Sequence, residues 1–326
     1  MFDQIKELPL TDYPTKIQQA LHSRETQDFI QKETEKADQL KINIVAFNDL
    51  TYPTYCRHFK SMPPVLYCKG KMPFQNQCAA VVGSRKASAY GIKETIRFTQ
   101  HLVKLGFSII SGLAYGIDAQ THKTCLDQQG ITYAVMGCGL DIDYPLLHKS
   151  LKEKIAEAGV VLSEFPLGTP PLSYHFPVRN RIISALSKFI LVIEASRKSG
   201  ALITADYGLD QGKDVLAIPG NIDQSLSEGT NHLIKSGAVM INDLESIDDY
   251  LKNTLGLLMT NQSQKEYSGC NSIEEQIIDE IKKGSCHRMD IINKVNQDAG
   301  QILQALTTLE MKGYIKEING EWICID

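Results

Sequence analysis

A series of short apolar runs recurs through the middle of the chain, and a segment of helix length follows each of them. Such a run is shorter than an ordinary helix but suits a strand that is buried on both faces. Buried strands that alternate with helices form parallel sheets covered on each side. The sequence therefore predicts an α/β fold, with an extended Rossmann-like, doubly wound and mostly parallel sheet. In chain order the runs are CAAVVG, FSIISG, ITYAVMGCG, VVLSEF, FILVIEAS, DVLAIPG and AVMI.

The flanking segments differ from this core and divide the 326 residues into four predicted parts. Residues 1–47 are polar with loosely helical apolar spacing, so we expect a small N-terminal helical segment there. Residues 48–245 contain the predicted sheet, and residues 246–271 form a polar linker. Residues 272–326 contain three helix-like stretches followed by a hairpin pattern with its turn at Asn319–Gly320. Three short helices and a hairpin predict a C-terminal winged-helix module.

Composition is that of an ordinary soluble protein, with 43% hydrophobic and 22% charged residues. No apolar run approaches the roughly 20 residues that span a bilayer, and the N-terminus has no secretory pattern. The eight cysteines are scattered without a CxxC pair, which is typical of reduced thiols in the cytoplasm. We therefore expect a cytoplasmic protein that has no membrane contact and binds no metal.

Charge is distributed unevenly, although the net charge is only −4. Residues 83–105 carry five Lys or Arg residues against one acid, and residues 171–202 again carry five against one. This asymmetry favours a local anion-binding surface on an acidic body. Charge counts alone leave a second interpretation open, in which these residues form a solvated face.

Glycine or a small polar residue follows nearly every predicted strand. Ligands bind at strand ends of parallel sheets because glycine turns and helix N-termini present backbone N–H groups there. Neither GxGxxG nor GxxxxGK[ST] is present, so we expect neither NAD nor ATP, and no other cofactor. The candidate binding residues near these turns are Gly83, Ser84, Arg85, Lys86, Ser111, Gly112, Ser199, Gly200, Thr204, Gly220, Gly229 and Asn231.

The stretch FPVRNRIISALS places Arg179 and Arg181 at the start of a helix-like run. Cations are unfavourable there because the N-terminal end of the helix dipole is already positive. Guanidinium groups bind phosphate oxygens and stack on bases, and Asn180 can bond a base edge. Nearby Tyr174 and Phe176 can each stack an unpaired base for about 1–3 kcal/mol. The pattern indicates a groove for single-stranded nucleic acid, in which the bound polyanion balances the two arginines.

Other interpretations of these residues stay open at the level of sequence. Any single glycine can serve turn geometry alone. Arg85 can pair with Asp118 or Asp143, and the two aromatic residues can belong to the core. Glu164 can simply brace a neighbouring turn.

Seven motifs resemble the DprA/Smf family (DNA-processing protein A), and the resemblance covers about Asn48 to Asn242, including the lead-in YP…PPVLYCKG. The resemblance implies an extended Rossmann core without enzymatic activity, which binds single-stranded DNA as a homodimer. It also implies protection of incoming DNA and loading of RecA recombinase onto it during natural transformation. The motifs are VVGSR, SGLAYGIDAQTH, GCGLDIDYP, SEFPLGTPP, FPVRNRIISALS, EASRKSGALITADYGLDQGKDVLAIPG and SEGTNHLIKSGA.

The resemblance also assigns roles to individual residues. Leu146 and Leu147 stand where family members often carry a basic residue, so the basic contact at that place is not carried over. The resemblance implies that Arg85, Arg179 and Arg181 contact phosphates, that Ser199 and Gly200 line the same pocket, and that Gly220 and Gly229 shape its far wall.

Two other functions compete with this interpretation. The first is a nucleotide-processing enzyme similar to the LOG phosphoribohydrolases, in which a glutamate acts at the sugar. Here Glu164 would have to take that role. The second is a winged-helix regulator whose residues 272–326 bind duplex DNA.

Overall fold

The computed structural model describes residues 23–72, 74–75, 77–255, 271–282, 291–292, 294–295, 297–312, 314–318 and 321–324. The chain forms two compact units, which divide between residues 259 and 260.

The first unit contains a single mixed sheet among its described residues. Seven of its strands coincide with the predicted apolar runs, and two further strands precede them. The nine strands are β1 (Asn43–Ala46), β2 (Val65–Gly70), β3 (Cys78–Val82), β4 (Ser108–Ser111), β5 (Thr132–Val135), β6 (Val160–Ser163), β7 (Phe189–Val192), β8 (Asp214–Ala217) and β9 (Val239–Met240).

The strand order is β1-β2-β6-β5-β4-β3-β7-β8-β9. Strand β2 pairs antiparallel with both β1 and β6, and all other neighbours are parallel. The chain winds outward from β3 to β6, then returns to the opposite side of β3 and winds outward again from β7. The order therefore reverses between β3 and β7, at the switch point where doubly wound proteins bind ligands.

Helices cover both faces of this sheet, as the fold prediction requires. Side chains of β3 alternate between two cores, so that Ala80 and Val82 pack against the helices on one face while Ala79 and Val81 pack against those on the other. The prediction of a doubly wound, mostly parallel sheet is thus confirmed. The helices are α1 (Arg24–Gln39), α2 (Ala89–Lys104), α3 (Ile117–Asp127), α4 (Lys149–Ala158), α5 (His175–Ala185), α6 (Gly200–Asp210), α7 (Glu228–Lys235) and α8 (Leu244–Asn253).

Two boundaries of the first unit differ from the sequence prediction. The N-terminal segment is not helical through residue 47, because β1 pairs with β2 at the edge of the sheet. The polar stretch that was expected to start a linker at residue 246 instead continues helix α8. Ile247, Tyr250 and Leu251 of that helix are buried against the sheet, so apolar spacing outweighs the acidic composition here.

The second unit contains two described helices and a two-stranded antiparallel sheet. Its core includes Ile277, Ile302, Leu306 and Trp322. The turn predicted at Asn319–Gly320 and much of the predicted second helix lie outside the described residues, so the winged-helix module stays a prediction. The elements are α9 (Ser272–Lys282), α10 (Ala299–Met311), β10 (Ile315–Ile318) and β11 (Glu321–Cys324).

Candidate nucleic-acid interface

A cavity of about 600 Å³ lies at the switch point, beyond the carboxyl ends of β3 and β7. Loops after these strands and helix α5 form its walls, so distant parts of the sequence meet there. The structure brings together ten of the candidate residues as lining: Gly83, Ser84, Arg85, Lys86, Phe176, Arg179, Asn180, Ser199, Gly200 and Thr204.

The turn after β3 presents two cations at the cavity. A side chain at Gly83 would place its Cβ 2.6 Å from Ile117 Cγ1, so only glycine fits this position. The Ser84 N–H donates to the Glu194 carbonyl at 2.7 Å, and the Ser84 hydroxyl accepts from the Lys86 N–H at 3.1 Å. These bonds hold the turn tightly and leave Arg85 and Lys86 exposed.

Glu194, which sequence reasoning did not assign, fixes helix α2 to the end of β7. Its buried carboxylate accepts from the Ser88 hydroxyl at 2.6 Å and the Ser88 N–H at 2.9 Å. Ser88 is also the N-cap of α2 and accepts from the Gly91 N–H at 3.0 Å. The available signal was an acid two residues beyond a buried apolar strand.

An aromatic wall stands beside the exposed cation Arg85. Its guanidinium carbon lies 5.4 Å from the centre of the Phe176 ring, within the range of a cation–π contact. Phe176 in turn packs on Tyr144, with ring centres 5.3 Å apart and planes inclined by 30°. Tyr144 lines the cavity but was missed from sequence, although the motif DIDYP contains it.

Arg179 forms the floor of the cavity and is only 3% exposed. It is the fifth residue of α5, after Pro177, which is tolerated because it lies in the first helical turn. Its Nη1 donates to the Gly112 carbonyl at 2.8 Å, and its Nε donates to Asn180 Oδ1 at 3.1 Å. The Asn180 amide donates to the Gly200 carbonyl at 3.2 Å. This network joins α5 to the loop after β4 and to the start of α6.

A buried carboxylate lies beside Gly112, as this guanidinium does. Asp118 accepts from the Gly112 N–H at 3.1 Å and the Ala114 N–H at 3.4 Å. Burial lowers the pKa of Arg179 to about 10, while Asp118 opposes that change. Burial likewise raises the pKa of Asp118, with Arg179 acting in the opposite direction. The two charges therefore compensate one another inside the protein.

Arg181 turns away from the cavity and is not among its lining residues. Its Nη2 lies 2.5 Å from Glu164 Oε2, and both side chains are mostly buried. This corrects the interpretation that a bound polyanion balances both arginines of α5. Carboxylates inside the protein, Asp118 and Glu164, balance them instead.

Three further candidates lie near the cavity without lining it. Ser111 is buried and donates its hydroxyl to the Val81 carbonyl at 2.7 Å. Gly112 lies under Arg179 and lines a small adjoining cavity. Tyr174 is 63% exposed and packs edge-on against His175.

The candidates after β8 hold the loop after β8 and helix α7 in place. The Gly220 N–H donates to Asn231 Oδ1 at 3.2 Å, and the Asn231 side-chain amide donates to the Gly220 carbonyl at 3.0 Å. The Gly229 N–H donates to the Ala195 carbonyl at 2.8 Å. A Cβ on Gly229 would lie 2.7 Å from that same oxygen, which explains the glycine. None of these three residues lines the cavity.

The N-terminus of α6 contributes backbone donors to the cavity. Ser199 caps this helix and accepts from the Ala201 N–H at 3.3 Å. Beside it, Gly200 has open space where a Cβ would be, with nothing within 4 Å. The positive end of a helix dipole and its free N–H groups favour an anion at such a place.

The charge of the lining is strongly positive. Arg85, Lys86, Arg179 and Lys198 face a single carboxylate, Asp118. Among the described residues, no group of three or more acids, histidines or cysteines could hold a metal ion. The arrangement suits a phosphate-bearing ligand with an aromatic part, since cations, helix N–H groups and an aromatic wall converge on one cavity.

Replacing Gly112 with alanine is expected to destabilise the protein by about 1–3 kcal/mol, as overpacking of a tight core does. The new Cβ would lie 2.4 Å from Arg179 Nη2 and 2.7 Å from Asp118 Oδ2. Urea unfolding of the variant measures this loss. Gly200→Ala is the matched control, because it adds a methyl group in open space and should unfold like the wild type. Gly212→Ala would not serve, because the φ angle of Gly212 is positive and strains any other residue.

Fold and site together define a doubly wound α/β protein with an anion-binding cavity at its switch point. Residues 43–253 match the family model described as DNA recombination-mediator protein A. The chain is also 37% identical over 278 residues to Protein Smf of Escherichia coli (strain K12), covering 83% of this chain and 74% of that protein. It belongs to the DNA recombination-mediator protein A family, which confirms the resemblance that its motifs predicted.

Two solved structures are similar to this chain. The X-ray structure of DNA processing protein A from Streptococcus pneumoniae has a TM-score of 0.60 and 39% identity, covering 64% of this chain and 73% of that one. The protein of the same name from Helicobacter pylori has a TM-score of 0.58 and 27% identity, covering 65% and 96%. That second structure is described as showing a unique single-stranded DNA binding mode.

Proposed function

We propose that this protein binds single-stranded DNA in the switch-point cavity, protects it, and loads RecA recombinase onto it during natural transformation. The observation that carries the proposal is the exposed Arg85 beside the Phe176–Tyr144 wall, at a cavity with a surplus of cations. The described binding of single-stranded DNA by the Helicobacter pylori relative supports the same ligand.

The form of the cavity favours an unpaired strand over a duplex. Stacking on an aromatic wall requires a base whose face is free, and in a duplex both faces of each base are occupied. A cavity of about 600 Å³ can hold a nucleotide or two but is far too small to hold a DNA duplex. Cations that contact phosphates add affinity without reading sequence.

The carboxylates near the cavity support binding rather than catalysis. Glu164, which the enzyme alternative needs at the sugar, is paired with Arg181 and does not line the cavity. Glu194 is buried and bonded to Ser88. Asp118 lines the cavity but is 7% exposed, and its carboxylate accepts from the Gly112 and Ala114 N–H groups. A sugar-directed acid would have to be free and facing the ligand.

The proposal also includes RecA as a partner, a homodimer of this chain, and a location in the cytoplasm. The recombination-mediator family supports the recombinase partner. No helix in the described part of the chain is long and apolar enough to cross a membrane. Filament assembly by RecA on a strand already coated by another single-strand binding protein, with and without this chain, tests the loading step.

A salt titration tests the DNA-binding step. We expect an oligothymidylate of about 20 nucleotides to bind more tightly than a duplex of equal length, since stacking needs unpaired bases. The logarithm of its binding constant should fall linearly with the logarithm of salt concentration, by about 0.7 for each phosphate contacted. Fluorescence anisotropy measures both curves. Equal affinity for the two forms, or binding that does not respond to salt, would contradict the proposal.

A further inference from the structure

Helix α1 contacts the loops behind the cavity through two side chains on one face. Glu33 is only 9% exposed, and its Oε1 accepts from the Leu167 N–H at 2.7 Å. Lys36, one turn later, donates to Asp141 Oδ2 at 2.6 Å. Residues three apart share a helix face, so a single face of α1 holds two separate loops.

Asp141 ties these two loops to one another as well as to α1. Its second oxygen, Oδ1, accepts from the Gly168 N–H at 2.7 Å. The Gly139 N–H donates to the Thr169 carbonyl at 3.0 Å and forms a second link between the two loops. Burial would raise the pKa of Asp141, but the Gly168 N–H and Lys36 hold it below its ordinary value. The carboxylate is therefore ionised, and it bridges both loops at neutral pH.

We call residues 139–145 and 164–174 the two rim loops, because each continues into the lining of the cavity. Tyr144 follows Asp141 by three residues and forms part of the aromatic wall. Pro171 and Ser173 follow Gly168 closely and also line the cavity. The separation of the rim loops thus sets where these lining residues stand.

A second helix holds one rim loop from the other side. Lys152 of α4 is buried and donates to the carbonyls of Leu140 and Ile142 at 2.7 and 2.8 Å. The first rim loop would therefore stay attached to α4 without the contacts of α1. Removing those contacts would leave the spacing between the two loops to the Gly168–Asp141 and Gly139–Thr169 hydrogen bonds alone, without unfolding either loop.

We propose that α1 is a positioning element for the DNA cavity, in which Glu33 and Lys36 set the spacing of the rim loops. The inference rests on the proposed function, since it assigns the cavity to a DNA strand. Helix α1 lies before residues 43–253, the part that matches the family model. The positioning role therefore belongs to a segment that the family match does not cover.

The test compares two double variants of α1 with the same change in charge. Glu33→Ala/Lys36→Met removes both contacts, whereas Lys32→Met/Glu35→Ala changes two exposed residues of the same helix that do not contact the rim loops. A third protein, Glu33→Gln/Lys36→Arg, keeps an acceptor and a donor. Two quantities are measured for each: affinity for an oligothymidylate, and hydrogen exchange of the peptide that contains the Leu167 and Gly168 amides.

We expect the first variant to bind about three- to tenfold more weakly, as for other substitutions that act through a network, and to exchange faster at Leu167 and Gly168. The exposed-residue variant should match the wild type, and the conservative variant should recover most of the affinity. If the double variant does not fold, Lys36→Met alone is tested instead. It removes only a half-exposed ion pair, which contributes little to the stability of the protein.

Each remaining outcome would overturn the inference. Faster exchange with unchanged affinity would show that α1 orders the rim loops without affecting the cavity. Unchanged exchange would show that the contacts do not hold the loops at all. Failure of the wild type to bind the strand would overturn the proposed function itself, and that result is distinct because it appears without any substitution.

Discussion

Arg179→Met is expected to lower the free energy of unfolding by about 3 kcal/mol or more, the usual cost of removing one partner of a buried charge pair. The guanidinium is 3% exposed and donates to the Gly112 carbonyl and to Asn180. Without it, that carbonyl loses its donor and the buried carboxylate of Asp118 loses the nearby positive charge. Chemical denaturation measures the loss. Val178→Met, which places the same side chain at an exposed position of the same helix, is the matched control.

The pH dependence of this loss identifies its cause. Burial already raises the pKa of Asp118, and the opposing effect of Arg179 disappears in the variant. A carboxyl group whose pKa is higher in the folded than in the unfolded state binds more protons when folded, so its stability contribution falls as pH rises. The difference between wild type and Arg179→Met should therefore shrink as pH is lowered. A variant as stable as the wild type at all pH values, with DNA binding alone reduced, would show that Arg179 acts mainly on the ligand.

Removal of the exposed cations of the cavity, unlike Arg179→Met, should greatly reduce DNA affinity and should change the free energy of unfolding little. Arg85, Lys86 and Lys198 all line the cavity, and all three are exposed. In the triple alanine variant we expect about 100-fold weaker binding of an oligothymidylate, from about 1 kcal/mol for each cation. The salt slope should become shallower by about 2, because three phosphate contacts of about 0.7 each are lost. Anisotropy titrations at several salt concentrations measure both quantities.

Two controls separate contact with DNA from a general change in charge. Lys60→Ala/Lys154→Ala/Lys252→Ala removes as much charge from exposed positions outside the cavity lining, and should leave the slope nearly unchanged. Arg181→Met removes a cation that is paired with Glu164, and should also leave the slope unchanged. A slope that stays the same in the cavity variant would mean that these cations do not contact phosphates.

The strands of the sheet were predictable because a parallel strand buried on both faces must be apolar throughout. Cys78–Val82 and Phe189–Val192 are such runs, and each became a central strand beside the switch point. The same pattern placed the candidate binding residues at the carboxyl ends of the strands, whereas the strand order, which fixes the switch point, came from the structure. The edge strand β1 was not predictable in this way. Strand β1 is short and only partly buried, so its sequence resembles the helical segment before it.

The roles of the cations depend on burial, which sequence does not show. Arg85, Arg179 and Arg181 have the same chemistry, yet only Arg85 is exposed at the cavity, while Arg179 forms its floor and Arg181 pairs with Glu164. Arg85 lies in the turn after β3, whereas Arg179 and Arg181 differ because side chains two positions apart on helix α5 point in different directions.

The sequence by itself determined the alternation of buried strands with helices, and with it the sheet edge that carries the glycine turns. Only the tertiary structure decided which charges face a ligand and which are neutralised internally. Lys36 and Asp141 are 105 residues apart in the chain and 2.6 Å apart in space. Local patterns record periodicity and turn chemistry, whereas the pairing of distant charges depends on how whole elements pack.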